Sequence, residues 1–233
     1  MGAARLAWPY AAAMNCDIDH LVIVADTLDQ GVAWCEATLG ATPGPGGRHA
    51  FMGTHNRLLR LSSRVFPNCY LEILAIDPQA PAPAHPRWFG MDNPALQAAV
   101  RQAPRLVHAV ARSPNIEMHR WGLVSLGAQP GTIVAAERDT PDGKLSWRIL
   151  LRDDGRIDCG GVLPTLIQWQ GRHPTESMAD AGVTLESVIL GTLPPRIPPL
   201  LALRHVGLDE PEAALIVRLN TPRGPVTLQT ARY

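Results

Sequence analysis

Two stretches of this chain carry the same succession of apolar periodicities. From Ile18 to Ala25, IDHLVIVA is a β-branched run of strand length, after which Leu28, Val32, Trp34, Cys35 and Leu39 recur at helical spacing. Thr27 or Asp26 is the candidate N-cap of that helix, and Gly40 stands where a left-handed C-cap residue belongs. The turn-rich ATPGPGGRH follows, then three strand candidates, Arg48 to Met52, Arg57 to Ser62 and Cys69 to Ile76. The order is β, α, β, β, β.

Residues 77–104 are dense in proline and predict a linker with at most one short helix, from about Pro94 to Gln102. Beyond it RLVHAVARS predicts a strand, Asn115 to Leu126 a helix capped by Ser113, and GTIVAAERDT, KLSWRILL and VLPTLIQWQ three more strands. The first order has recurred, in elements and not in residue identity. From Gly182 a further strand, a proline-bounded helix near Pro195 to Val206, and two strands joined by a Pro-Arg-Gly turn predict a half module. The expectation is an α+β protein of paired βαβββ modules with an additional C-terminal half module. Its parts are an extension over 1–16, a first module over 17–78, a linker over 79–104, a second module over 105–172 and a βαββ extension over 173–233.

With 233 residues, 46% of them hydrophobic and 18% charged, the chain can bury a full core as one large domain or two packed modules. Lys plus Arg balance Asp plus Glu at 21 each with no long basic run, which disfavours nucleic acid and anionic membrane as partners. No apolar run reaches the about eighteen residues of a membrane helix. MGAARLAWPYAAA, interrupted by Trp8, Pro9 and Tyr10, does not make a signal peptide and reads as an extension ahead of an internal start at Met14. Cys16, Cys35, Cys69 and Cys159 are widely spaced, without a CxxC pair, and fit free thiols in a reducing cytoplasm. Monomer and homodimer both stay open. The absence of GxGxxG, P-loop, GxSxG and HExxH motifs removes nucleotide-dependent, serine-hydrolase and zincin chemistry.

The residues out of place are polar ones inside apolar strands: His20, Glu72, His108 and Gln168. Buried polar groups need partners. Alternation puts His20 on a face with Ile18, Val22 and Val24, and Glu72 on a face with Tyr70, Leu74 and Ile76. Two imidazoles and a carboxylate are competent ligands for a divalent transition metal such as Fe(II), with Gln168 the weakest donor. The plainer alternatives are hydrogen-bonded structural histidines and an ion pair of Glu72 with Arg60. His20 and His108 lie in the first strand of their modules, and Glu72 and Gln168 in the last, so a pseudo-two-fold would gather all four. His49, Thr54, His55 and Asn56, near a Gly-rich turn, are candidate substrate contacts, with His55 also a candidate acid or base. Trp88 and Phe89 in the linker are a candidate pocket wall, whereas Trp121, Trp147 and Trp169 sit on patterns that fill core. Arg48, Arg57 and Arg60 are candidates for a substrate carboxylate or for solvated edge charge.

HLVIVADTLD at His20, the helix ending in TLG, and YLEIL at Glu72 resemble the first module of glyoxalase and extradiol-dioxygenase relatives, the vicinal-oxygen-chelate superfamily. HAVARS at His108 and PTLIQW at Gln168 resemble the opening and closing strands of the second module. GGRHAFMGTHNRLLRL, YLEILAIDP and RWFGMD are similar to the glyoxalase-like domain subfamily in particular, and the resemblance spans roughly residues 17 to 230. It implies metal ligation at His20, Glu72 and His108. At the fourth position relatives commonly carry glutamate, where this chain has Gln168.

The expected function is a metal-dependent lyase, isomerase or dioxygenase on a small oxygenated metabolite, with Glu72 catalytic and a divalent Fe, Mn, Ni or Zn ion acting as Lewis acid. The alternatives are a metal-free protein that binds or sequesters a small molecule, and a regulatory or interaction subunit.

Overall fold

The fold is described from a computed structural model, which covers residues 14–209 and 214–231. The greater part of the expected N-terminal extension, residues 1–13, lies outside the described residues.

The first module consists of β1 (Asp17–Val24), α1 (Leu28–Leu39), β2 (Arg48–His49), β3 (Thr54–Arg60) and β4 (Tyr70–Ile76). The Thr27 hydroxyl accepts from the Gln30 amide, and Gly40, at φ 70°, closes α1 with its N–H on the Glu36 carbonyl. Within α1, a side chain at Gly31 would meet Ile73 Cγ2 at 2.3 Å, so this glycine lets the helix lie close on β4. β2 is shorter than expected, because the chain turns over residues 50–53 with Gly53 at φ 59°. Thr54 and Asn56 consequently sit in β3 and not in the turn.

The linker holds a short 3-10 turn at Trp88–Gly90 and α2 (Pro94–Gln102), the latter capped by Asn93. The second module comprises β5 (Arg105–Arg112), α3 (Ile116–Ser125), β6 (Thr132–Thr140), β7 (Gly143–Leu151) and β8 (Thr165–Gln170). Asn115, and not Ser113, caps α3, accepting from the Met118 amide. Ser113 instead accepts from the Asn115 amide and holds His119 Nδ1 at 2.7 Å.

All eight strands of the two modules form one sheet in the order β2-β3-β4-β1-β5-β8-β7-β6. β1 runs parallel to β4 and β5 parallel to β8, while β1 and β5 pair antiparallel at the centre. The halves are thus related by an approximate two-fold axis. One face packs Val22, Val24, Leu74, Val110, Ile149 and Ile167 against Trp88, Phe89 and Met91 of the linker. The other face, through Leu21, Ile23, Leu71 and Ile73, meets Cys35 and Leu39 of α1 and residues of the C-terminal sheet. Each fully buried aliphatic side chain contributes on the order of 1.5–3 kcal/mol.

The tail forms β9 (Thr184–Leu190), α4 (Ile197–Leu201), β10 (Val206–Leu208), β11 (Leu215–Thr221) and β12 (Gly224–Gln229), a separate four-stranded sheet of order β10-β9-β11-β12. α4 is shorter than expected and packs with α3 over Ala111, Leu150 and Leu166. No helix among the described residues is long and apolar enough to cross a membrane.

Candidate functional site

A break in strand pairing builds the centre of the site. Ile18 pairs with Ala111 and His20 with Val110, so Asp19 is an extra residue on β1, a bulge that re-aims the strand. Asp19 is fully buried. One of its oxygens lies 2.7 Å from His20 Nδ1; the other accepts from Trp169 Nε1 at 3.0 Å and Arg112 Nη1 at 3.2 Å and lies 3.0 Å from His173 Nε2. Burial pushes the Asp19 carboxyl up, but hydrogen bonds from His173 and His20, with their charge, outweigh it and hold the group well below the usual carboxylate range.

With Nδ1 fixed on Asp19, His20 presents Nε2 to Glu72 of β4, 3.6 Å from Oε2. Glu72 Oε1 accepts from Asn56 Nδ2 at 2.6 Å and lies 3.9 Å from His49 Nε2. Parallel register sets Val22 beside Glu72, and antiparallel register sets Leu58 beside Glu72, which brings β1, β3 and β4 to one point. His49 is steadied by Thr54 Oγ1, 3.2 Å from its Nδ1, and burial pushes its pKa down to about 4, Arg138 adding to the effect and Glu72 opposing it. The His20 ring stacks on Tyr70 at 4.6 Å.

These groups open into a pocket, partly open to solvent, walled by Trp88, Phe89, Trp147 and Trp169. Trp147 and Trp169 pack with the core cluster as expected and also line this pocket, whereas Trp121, expected in the core, is 65% exposed. Trp88 and Phe89 form the wall as a buried, stacked pair. Arg138 of β6 also reaches the pocket, its Nη1 3.3 Å from Asn56 Oδ1.

Of the expected site residues, the structure brings together His20, His49, Asn56, Glu72, Trp88 and Phe89, with Thr54 behind His49. It does not bring in Gln168. Ile167 and Trp169 line the pocket, so alternation turns Gln168 to the opposite face, where its Oε1 accepts from Arg148 Nη2 at 2.7 Å and its Nε2 donates to the Pro114 carbonyl. Register identifies the position matching Glu72 as Thr165, since Val110 pairs with Thr165 as Val22 pairs with Glu72. His55 is likewise on the outer face of β3, opposite Ala75, and does not line the pocket. His108 is fully buried on β5, but its Nε2 accepts from the Thr165 amide at 3.1 Å, and burial pushes its pKa down to about 3, His20 adding to the effect. Arg60 does not pair with Glu72, and Arg48 reaches outward to Gln79 and Asp77.

The structure therefore assembles only part of the expected four-ligand metal set. Gln168 points away, the His108 Nε2 lone pair is engaged by backbone, and among the described residues no group of three or more His, Cys, Asp or Glu is placed to hold a metal ion. The donors that do face each other are His20 Nε2 and Glu72. Asp19, Tyr70, Arg138 and His173 were missed from sequence. Asp19 could have been found only by suspecting a bulge beside His20, and Arg138 only from the pairing of the two modules.

The profile of the glyoxalase-like domain family matches residues 18–198. Among solved structures, a hypothetical protein from Staphylococcus aureus has a TM-score of 0.56 at 18% identity, over 92% of this chain and 85% of that one. A methylmalonyl-CoA epimerase variant from Streptomyces coelicolor, in complex with 2-nitronate-propionyl-CoA, has a TM-score of 0.42 at 17% identity, over 67% and 96%. Methylmalonyl-CoA epimerase from Mycobacterium tuberculosis has a TM-score of 0.40 at 16% identity, over 70% and 91%. None of the curated proteins matches the chain.

Proposed function

The chain belongs to the glyoxalase-like domain family, of the vicinal-oxygen-chelate superfamily, and on that premise we propose that it is a lyase or isomerase of a small oxygenated metabolite in which Glu72 moves a proton. The observation that carries this reading is a Glu72 carboxylate at 5% exposure with no lysine or arginine beside it among the described residues, set between two imidazoles and an amide. A carboxylate so placed is a general base for a C–H next to a carbonyl, and it returns the proton to the same carbon or its neighbour. The aromatic walls limit the water around the carboxylate and so strengthen the electrostatics of the site.

A second reading has one specific observation in its favour. An imidazole whose Nδ1–H is held by a buried carboxylate is the arrangement that orients metal-ligating histidines, and His20 with Asp19 has it. Members of the superfamily commonly use divalent metals. In this chain His20 and Glu72 would be the donors for Fe, Mn, Ni or Zn, and the ion would supply Lewis-acid polarisation of a substrate oxygen.

The test is to incubate the purified protein with small 2-oxo and 2-hydroxy compounds in D₂O and to follow loss of C–H signal by proton NMR. Elemental analysis is run on the same wild-type protein and on a His20→Ala, Glu72→Ala double variant. Wild-type exchange that Glu72→Gln abolishes supports the proton-transfer reading. About one equivalent of metal, lost in the double variant, brings in the second. Binding by the wild type with neither exchange nor bound metal would sink the enzyme reading in favour of a metal-free binding protein.

A further inference from the structure

Arg138 is the charged side chain of the pocket that the proton-transfer reading leaves without work. It comes from β6 of the second module and crosses to the first, where its Nη1 donates to Asn56 Oδ1 at 3.3 Å. Apart from that bond the guanidinium has no acceptor and no carboxylate partner among the described residues, and its Nε is buried without one. The chain makes room for it. A side chain at Gly47 would come within 2.3 Å of Arg138 Nη1, and one at Gly46 within 2.3 Å of Asn56 Oδ1. The Gly46-Gly47 pair is thus a seat for the Asn56 and Arg138 heads.

Asn56 stands between the two charges. Its amide nitrogen donates to Glu72 and its amide oxygen accepts from Arg138, so one side chain keeps acid and guanidinium apart in one pocket. A direct pair would neutralise both. Separated, they leave a carboxylate without a direct ion pair at one point and, at another, a planar fork of donors suited to a two-oxygen anion. The other candidate arginines do not compete, since Arg48 and Arg57 are exposed and neither they nor Arg60 line the pocket.

We infer that Arg138 recognises a carboxylate on the substrate, so that the metabolite bound between the aromatic walls is a small organic acid whose remaining oxygens face Glu72. This deepens the proposed function and rests on the pocket being its substrate site, but not on the proton step itself.

The test is equilibrium binding, by calorimetry or by quenching of the pocket tryptophans. The probes are benzoylformate, mandelate and phenylpyruvate, each beside its primary amide. The expected result is an acid bound about tenfold or more tightly than its amide by the wild type, with that preference lost in Arg138→Gln, partly kept in Arg138→Lys and untouched in Arg57→Gln. The inference is overturned if no acid outbinds its amide, or if the preference survives Arg138→Gln at an unchanged Tm. Should Arg138→Gln fail to fold, Arg138→Lys decides: it shortens the fork to a point charge, and a full wild-type preference there overturns the inference equally. Mandelate and phenylpyruvate, which carry an exchangeable C–H, held through Arg138 without deuterium exchange would sink the proton-transfer reading alone. Exchange with unchanged KM in Arg138→Gln would sink the inference alone.

Discussion

Replacing Asp19 by alanine is the perturbation whose cost is best worked from the structure. The carboxylate is fully buried and serves His20, Trp169, His173 and Arg112 at 2.7–3.2 Å. Removing one partner from a buried charged network costs about 3–5 kcal/mol, because the others are left uncompensated. Arg112 keeps a second carboxylate, Asp17, 3.6 Å from its Nη2, so the lower half of that range is expected. At about 2–4 °C per kcal/mol for a chain of this size, Asp19→Ala lowers Tm by roughly 6–16 °C. Asp19→Asn keeps an acceptor oxygen and loses less, about 1–3 kcal/mol. Urea denaturation and calorimetry read both values. The folded carboxyl is held below its unfolded value, so its contribution is present above the unfolded pKa of about 3.9 and is lost as pH falls below it. The gap between wild type and Asp19→Asn should close as pH falls below about 4. An Asp19→Ala protein that melts within about 2 °C of wild type would refute the reasoning.

Three further outcomes follow from the geometry. Gln168→Glu leaves metal content and ligand binding as in wild type, because the side chain faces Arg148 and Pro114 on the far side of β8; a gain of metal by elemental analysis would contradict this. His55→Ala keeps the exchange rate within about twofold, since its ring lies outside the pocket, and steady-state rates check it. Gly47→Ala displaces Arg138, whose Nη1 stands 2.3 Å from the position of the new carbon, and lowers affinity for the acid probes while leaving affinity for their amides unchanged in the same titrations.

The architecture was legible because its signals are local and occur twice. Thr27 and Gly40 bracket α1, alternation marks β1 and β4, and the same element order returns after the linker. The site was legible where polar residues interrupt apolar strands, as at His20 and Glu72. It failed where geometry depends on what sequence does not carry. Strict alternation turns Asp19 away from His20, and only the bulge brings them to one side. Gln168 was grouped with Glu72 by its place in the last strand, but its parity within TLIQWQ puts it with Leu166, on the helix side. Arg138 belongs to a strand of alternating exposed and half-buried residues at the sheet edge, and nothing local distinguishes it from Arg48 or Arg57. Trp147 and Trp169 carry a core pattern and do pack with the core, but the pattern does not signal that they also face the pocket.

The central claim is that Glu72, held by Asn56 and with no lysine or arginine in direct contact among the described residues, moves a proton on a small substrate. The most direct measurement is the rate of substrate C–H exchange in D₂O by Glu72→Gln, set against wild type at matched Tm. General-base catalysis contributes about 10²–10⁴-fold, so the account predicts a loss of that size with the folded protein and its acid binding retained. Exchange by the variant within about twofold of wild type would contradict it.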